Sequence, residues 1–326
     1  MALTGRWTEV SVLVGLAILI IACNPNRNSE SELVLKPSPV FNSDSAHEFV
    51  AKQVAFGPRV PASEPHQSCG DYLVSSLERY GFEVTEQVDS VASFGGVILP
   101  LRNIIATYNL TNPKRIILAA HWDTRPYADR DDTLKTIPFD GANDGASGVG
   151  VLLEIARTIA ANPLNIGVEI MLFDIEDQGR PAYDSDTDDP EHYYCLGSRY
   201  WANVSKGHKA EYGILLDMVG AENARFTMEG VSMQYAEPIV RKVWGIGNQL
   251  GYSDQFRYNR TSHIVDDHTY INEIVGIPFI DIIHYDASTE TRFWTKWHTH
   301  EDDLSVIDRK TLEAVGQTVI QTLYNE

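Results

Sequence analysis

The sequence predicts an α/β fold with a twisted, mostly parallel central sheet and helices on both faces. Three observations predict it. From residue 47 onward, strand-like apolar runs alternate with amphipathic helical patterns, as crossover connections between parallel strands require. The runs at 115–120, 168–173, 212–216 and 278–283 are continuously apolar, the pattern of strands buried on both faces. The chain has 326 residues, 43% of them hydrophobic and 10% aromatic. That is ample material for one large core, and it excludes disordered, collagen-like and disulfide-dense classes.

The elements follow in order. Arg6 gives residues 1–22 a cationic start, and 10–22 is an apolar run of 13 residues. A membrane span needs ~20, so the run reads as the core of a signal peptide. It ends Ile20-Ile21-Ala22-Cys23, which resembles the lipobox of a bacterial lipoprotein. Cleavage would leave Cys23 as a lipidated first residue; an ordinary secretory signal with an incidental Cys is the alternative. Residues 23–45, with Pro25, Pro37 and Pro39, read as a flexible tether. The expected placement is the cell envelope, anchored to a lipid bilayer through Cys23 on the periplasmic side or the surface. Residues 46–326 then form a single catalytic domain.

Within that domain, 46–56 is a helix stopped by Gly57-Pro58, and 63–80 is a second, with Leu73, Leu77 and Tyr80 on one face and Gly81 past its end. Residues 82–88 and 102–108 alternate like strands, and 115–120 is the first continuous apolar strand. Residues 147–160 form an apolar-striped helix; its Gly148-Val149-Gly150 lacks the third glycine of a dinucleotide fingerprint. The strands at 168–173, 212–216 and 278–283 follow, and 305–324 closes the chain as a helix. Trp201 lies in a helical stretch and reads as core. Residues 184–191 are an acidic run, read as a solvated loop because the spacing matches no calcium loop. Cys69 and Cys195 either pair or stand as two buried thiols.

Lys plus Arg number 26 against 45 Asp plus Glu, a net charge of −19. Such an excess argues against a nucleic-acid partner, whose phosphates would be repelled. Most of it lies in three segments after predicted strands: 123–144 carries −3, 174–191 carries −7 and 298–308 carries −4. A field of that kind attracts a cation and the free ammonium of a peptide.

Ligands of open α/β sheets bind beyond the C-terminal strand ends. Here those ends read His121-Trp122-Asp123, then Asp174-Ile175-Glu176-Asp177, then Asp217, then His284 with a loop leading to Trp297-His298. Asn143-Asp144-Gly145-Ala146-Ser147 precedes a helix between the first two. Singly, each has a structural reading: Asp before Gly caps or turns, and a lone His is usually satisfied in a core. Together they supply His and carboxylate without thiolate, a set suited to zinc. Asp144, Asp177 and His298 would give three ligands and leave one position open. Glu176 would stay free as a base. Asp123 reads as the orienter of the His121 imidazole or as a simple turn acid. His300 is expected to face solvent, His268 to orient a helix, and Trp294 to belong to pocket or core.

His-x-Asp, Gly-Ala-Asn-Asp-Gly-Ala-Ser-Gly, Phe-Asp-x-Glu-Asp, Leu-Leu-Asp and the late His resemble the zinc aminopeptidase clan. Four further stretches resemble its glutaminyl-peptide cyclotransferase family: Leu196-Gly197-Ser198-Arg199, Met218-Val219-Gly220-Ala221, Asp266-Asp267-His268 and Phe293-x-x-x-Trp297-His298. The resemblance spans residues 47–326. It implies one Zn²⁺ on Asp144, Asp177 and His298, Glu176 as general base, and Asp217 and Asp266 as a hydrogen-bonded acid pair. Trp297 and Phe293 would wall the substrate pocket. Two departures stand out. Asp177 replaces a Glu of the animal enzymes. Their pocket Trp after the Glu pair is also missing, leaving Tyr183, Tyr194 or Trp201 to line that side.

The implied reaction cyclises an N-terminal Gln of a peptide or protein to pyroglutamate with release of ammonia. The alternative is a two-zinc aminopeptidase that adds His121 and Asp217 around a second metal. An Asp217–Asp266 hydrogen bond would discriminate by diverting Asp217. A non-catalytic binding module would have lost a ligand or the base, and none is lost.

Overall fold

The computed structural model describes residues 1, 2, 5, 34–184 and 193–326. The leader (but for residues 1, 2 and 5), Cys23, the tether through residue 33 and 185–191 of the acidic run lie outside the described residues. Leu35–Glu326 is the compact unit that carries the fold.

Its elements begin with α1 (Ser43–Val54), α2 (Glu64–Arg79), β1 (Glu83–Ala92), β2 (Ile98–Tyr108), β3 (Arg115–His121) and α3 (Ala146–Ala161). They continue with β4 (Gly167–Phe173), α4 (Leu196–Val204), β5 (Tyr212–Asp217), β6 (Phe226–Met228) and α5 (Gly230–Gln249). The last are β7 (Phe256–Arg260), α6 (Asp267–Tyr270), β8 (Phe279–Ile283) and α7 (Arg309–Asn325). The main sheet has six strands in the order β1-β2-β4-β3-β5-β8. The pairs β4–β3, β3–β5 and β5–β8 are parallel, while β1–β2 and β2–β4 are antiparallel. The fold is therefore the expected α/β class with a parallel centre and an antiparallel hairpin at one edge.

Residues alternate along the central strands, so one strand feeds two cores. Ile116, Leu118 and Ala120 of β3 join a core with Ile170, Leu172, Ile214 and Leu216, packed under α1, α2, α3, α5 and α7. Ile117 and Ala119 face the other way, against Met171, Phe173, Leu215, Phe279 and Trp201. Trp201 is thus core, at 2% exposure. Continuous apolar runs exist because both faces are covered.

Two expectations need correction. Residues 36–42, read as the end of a flexible tether, run along α7. Lys36 N donates to Asn325 Oδ1 (3.0 Å) and Phe41 N to Gln317 Oε1 (2.8 Å), and the buried Phe41 ring occupies the space beside Gly316. The closing helix starts at Arg309 rather than 305, because Asp308 caps it and Leu304–Val306 forms a separate tight turn. Residues 226–260, to which no element was assigned above, form β6, α5 and β7. Pro238 and a kink at Ala236 (φ −142°) break the helical pattern of α5. Cys69 and Cys195 are separate buried thiols. No helix among the described residues is long and apolar enough to cross a membrane.

Candidate metal centre and active-site cavity

Because β4, β3, β5 and β8 are parallel, their C-terminal ends share one edge, and the residues after them converge there. Asp144, Asp177 and His298 bring ligand atoms within 4.8 Å of one another, all buried. His298 Nε2 lies 3.1 Å from Asp177 Oδ2 and 3.5 Å from Asp144 Oδ2. Its Nδ1 faces Asp129 Oδ1 at 3.2 Å. With the Nδ1 proton taken by Asp129, the Nε2 lone pair points at a carboxylate oxygen that meets no donor of its own. Two acceptors turned toward each other in a buried space fit a divalent cation, and oxygen and imidazole donors without thiolate suit zinc. His121, Asp144 and Asp217 form a second such group, with His121 Nε2 3.1 Å from Asp144 Oδ1 and 3.3 Å from Asp217 Oδ1. Despite burial, those carboxylates and Asp123 hold the His121 pKa well above 6.5.

The loop after β3 positions these ligands, and most of that work is not readable from residue types. Arg125, fully buried, donates to Asp177 Oδ1 (2.9 Å) and clasps both oxygens of Asp129 (3.0 and 2.9 Å). Burial would raise the Asp177 pKa, but the Arg125 guanidinium beside it helps to hold the carboxyl below its usual value. Asp302 accepts from Asn143 N (2.7 Å) and Asp144 N (3.0 Å), fixing the turn before α3. Gly145 sits there at φ 96°, where a Cβ would lie 2.8 Å from Asp123 O and 3.1 Å from His121 Cε1. Asp123 itself lies 3.6 Å from His121 Nδ1, beyond hydrogen-bond reach. It accepts instead from Glu176 N (3.0 Å), Asp177 N (3.4 Å) and Gln178 Nε2 (3.2 Å). Its place is under the Glu176–Asp177 backbone rather than behind the imidazole.

Glu176 reaches the cavity because the chain leaves β4 through a left-handed residue, Ile175 (φ 54°). The opposite segment mirrors it: Cys195 is also left-handed (φ 56°), and the two segments exchange Cys195 N to Glu176 O (2.8 Å) and Leu196 N to Ile175 O (2.9 Å). Met218 (φ 48°) after β5 and His298 (φ 59°) complete a set of strained backbone positions around the cavity. The Cys195 thiol, kept protonated by burial and by Glu176, donates to Glu176 Oε1 across 3.3 Å. Burial, with Asp177, Asp266 and Asp267 nearby, raises the Glu176 pKa well above 4.5 even though His121 opposes the shift.

The two acids of the expected pair, Asp217 and Asp266, line the same cavity, and Asp217 is the charge that acts most strongly on Asp266. Asp217 turns to His121, and Asp266 meets Asp281, which enters from β8 with no donor on either oxygen. Burial first, then Asp217 and Asp267, push the Asp266 pKa well above 3.8. Glu229 braces this corner: it accepts from Val231 N, Ser232 N, Ile264 N and His268 Nε2 (2.7–3.1 Å). His268 therefore orients its helix, as expected. His300 pairs with Asp131 (2.8 Å) rather than facing open solvent. Asp174 holds His66 (2.8 Å) and Arg102 N (2.8 Å) and takes no part in the cavity.

The cavity measures about 340 Å³. Trp297 stacks on His298 (3.7 Å, 26°) and packs against Phe293 (4.7 Å), with Met218, Ile264 and Ile283 behind them. Tyr194 lines the opposite side, packed so closely that a Cβ on Gly179 would lie 1.9 Å from its ring. Tyr183 is half exposed and stands outside, and Trp201 is core, so Tyr194 is the aromatic that the sequence left open.

A model of peptidase family M28 matches residues 103–323. The chain belongs to that family. Within M28 it sits with the bacterial glutaminyl cyclases. This M28 chain is 46% identical to the glutaminyl cyclase of Bacteroides thetaiotaomicron, over 89% of its own length and 100% of the other's, with a TM-score of 0.86. A Zn-dependent exopeptidase of Parabacteroides distasonis matches with the same identity, coverage and TM-score. The glutaminyl-peptide cyclotransferase of Drosophila melanogaster is 26% identical over 325 residues, 90% of this chain and 83% of the relative.

Proposed function

We propose that this M28 chain is a glutaminyl-peptide cyclotransferase. It joins the α-amine of an N-terminal Gln to its own γ-carbonyl carbon, forming pyroglutamate and releasing ammonia. The observation that carries the reading is the 46% identity over the whole length of a bacterial glutaminyl cyclase.

Asp144, Asp177 and His298 would hold one zinc ion, which when bound polarises a carbonyl oxygen and stabilises negative charge on it. Glu176, with its raised pKa, takes a proton from the α-ammonium or amine and returns one to the departing nitrogen. Asp217 and Asp266 line the same cavity and accept hydrogen bonds from that nitrogen. Trp297 and Phe293 keep the γ-carbonyl away from bulk water, which would otherwise yield Glu. Nucleophile and electrophile belong to one residue, so folding the Gln side chain against this wall supplies much of the rate.

One observation favours a second reading, a two-metal aminopeptidase: His121 and Asp217 stand within ligand distance of Asp144. Purified protein assayed on a Gln-initiated peptide and on a Leu-arylamide, with metal analysis, separates the two. Ammonia release, an inert Leu substrate and one zinc per chain are expected. Leu-arylamide cleavage with two metals would overturn the cyclase reading.

We also propose, from the apolar run 10–22 and the Ala22-Cys23 junction, that Cys23 is lipidated and anchors the enzyme in the cell envelope. Cys23→Ser should then shift the protein out of the membrane fraction.

A further inference from the structure

The metal-centre cavity shares a wall with a second groove of about 1080 Å³: Ser262, Tyr285 and Arg292 line both. The two spaces have opposite charge. The first is lined by Asp144, Glu176, Asp177, Asp217 and Asp266 against the single Arg292. The second is lined by Arg225, Arg257, Arg260 and Arg292 against Glu222 and Asp286. A basic groove is the exception in a chain whose net charge is −19.

The four guanidiniums are not equally committed. Arg257 pairs with Asp254 (3.2 Å) and Arg260 with Glu237 (2.9 Å). Arg225 is exposed, and its guanidinium makes no hydrogen bond or ion pair among the described residues; Asp286 is the carboxylate that feels its charge. Arg292 donates to the Ala287 carbonyl (2.8 Å) from a left-handed backbone position (φ 70°), which sets it at the junction of the two spaces. Arg292 lines both spaces and Arg225 only the groove, so a chain that leaves the acidic cavity past Arg292 would enter the space that Arg225 lines.

We propose that this groove receives the segment of the substrate that follows the N-terminal glutamine and selects acidic side chains in it. The acidic cavity reads the terminal ammonium, and the basic groove reads carboxylates a few residues on. This rests on the cyclase reading, and the test keeps the two apart.

Ammonia release would be measured with the dipeptide Gln-Ala and with two pentapeptides, Gln-Ala-Glu-Glu-Ala and Gln-Ala-Lys-Lys-Ala. The Glu peptide should exceed the Lys peptide in kcat/KM by about fivefold to tenfold at low salt, and less at high salt. Arg225→Glu should erase or invert that ratio, Arg225→Gln should reduce it, and both should turn over Gln-Ala as the parent does. Equal kcat/KM for the two pentapeptides, or a ratio unmoved by Arg225→Glu, would overturn the groove assignment while Gln-Ala turnover leaves the cyclase reading standing. Failure of the parent enzyme on all three would overturn the cyclase reading and this inference with it.

Discussion

Glu176 is held by contacts on three sides, and each makes a separate claim. Asp123 holds its backbone N–H at 3.0 Å, Cys195 donates to its carboxylate at 3.3 Å, and its neighbour Asp177 is tied to Arg125 at 2.9 Å. On the proposed roles, Glu176→Gln removes the proton acceptor and no ligand. Turnover should fall by roughly 10²–10⁴ with zinc content unchanged by metal analysis; loss of the metal would refute the division of roles between Glu176 and Asp177. Cys195→Ala removes a donor to the same carboxylate and should lower kcat about fivefold with KM unchanged. Cys195→Ser should restore most of it, because a hydroxyl also donates. A serine variant as slow as the alanine one would show that the thiol only fills space. These roles were not legible in the sequence. Cysteine, arginine and aspartate at 195, 125 and 129 acquire meaning only from what they touch.

At the scale of elements, the corner made by α5, α6 and the loop between β7 and α6 depends on Glu229. Burial would raise its pKa, but His268 and the backbone N–H groups of Ser232 and Val231 lower it to about 2 from 4.5. A carboxylate with a depressed folded pKa stabilises the fold above its unfolded value, and that contribution is lost as pH falls from about 4.5 to about 2. Upper-bound linkage for this shift is about 3 kcal/mol. Thermal melts between pH 6 and pH 3 should therefore show a smaller loss of stability in Glu229→Gln than in the parent, from a lower starting Tm.

The same scale separates what the chain disclosed from what it did not. The four parallel strands and their ends were legible, because a strand buried on both faces reads as one apolar run and the chemistry follows it. The candidate ligands Asp144, Asp177 and His298, which the structure brings together, were legible for that reason. α5 was hidden by Pro238, and β6 and β7 by their shortness. Asp281, an acid inside an apolar strand, joins Asp266 from β8 and was hidden by the apolar run around it.

Across the whole molecule, charge and strain set the working conditions. The field of −19, weighted toward the strand-end edge, should draw in the terminal ammonium of a substrate. For a neutral-tailed Gln dipeptide, kcat/KM should fall by about threefold between low ionic strength and 0.2 M salt, where the Debye length shrinks below ~10 Å. A flat salt profile would mean that the field does not reach the substrate. Strain has a different consequence. Ile175, Cys195, Met218 and His298 all keep left-handed backbones, each at a cost of about 1–3 kcal/mol that the remaining packing must absorb. Ile175 is β-branched, the least suited of the four. Glycine at 175 should raise Tm by relieving that conformation and lower turnover by freeing Glu176 to wander. Selection for heat resistance alone would then draw this lineage away from its own chemistry, one relaxed turn at a time.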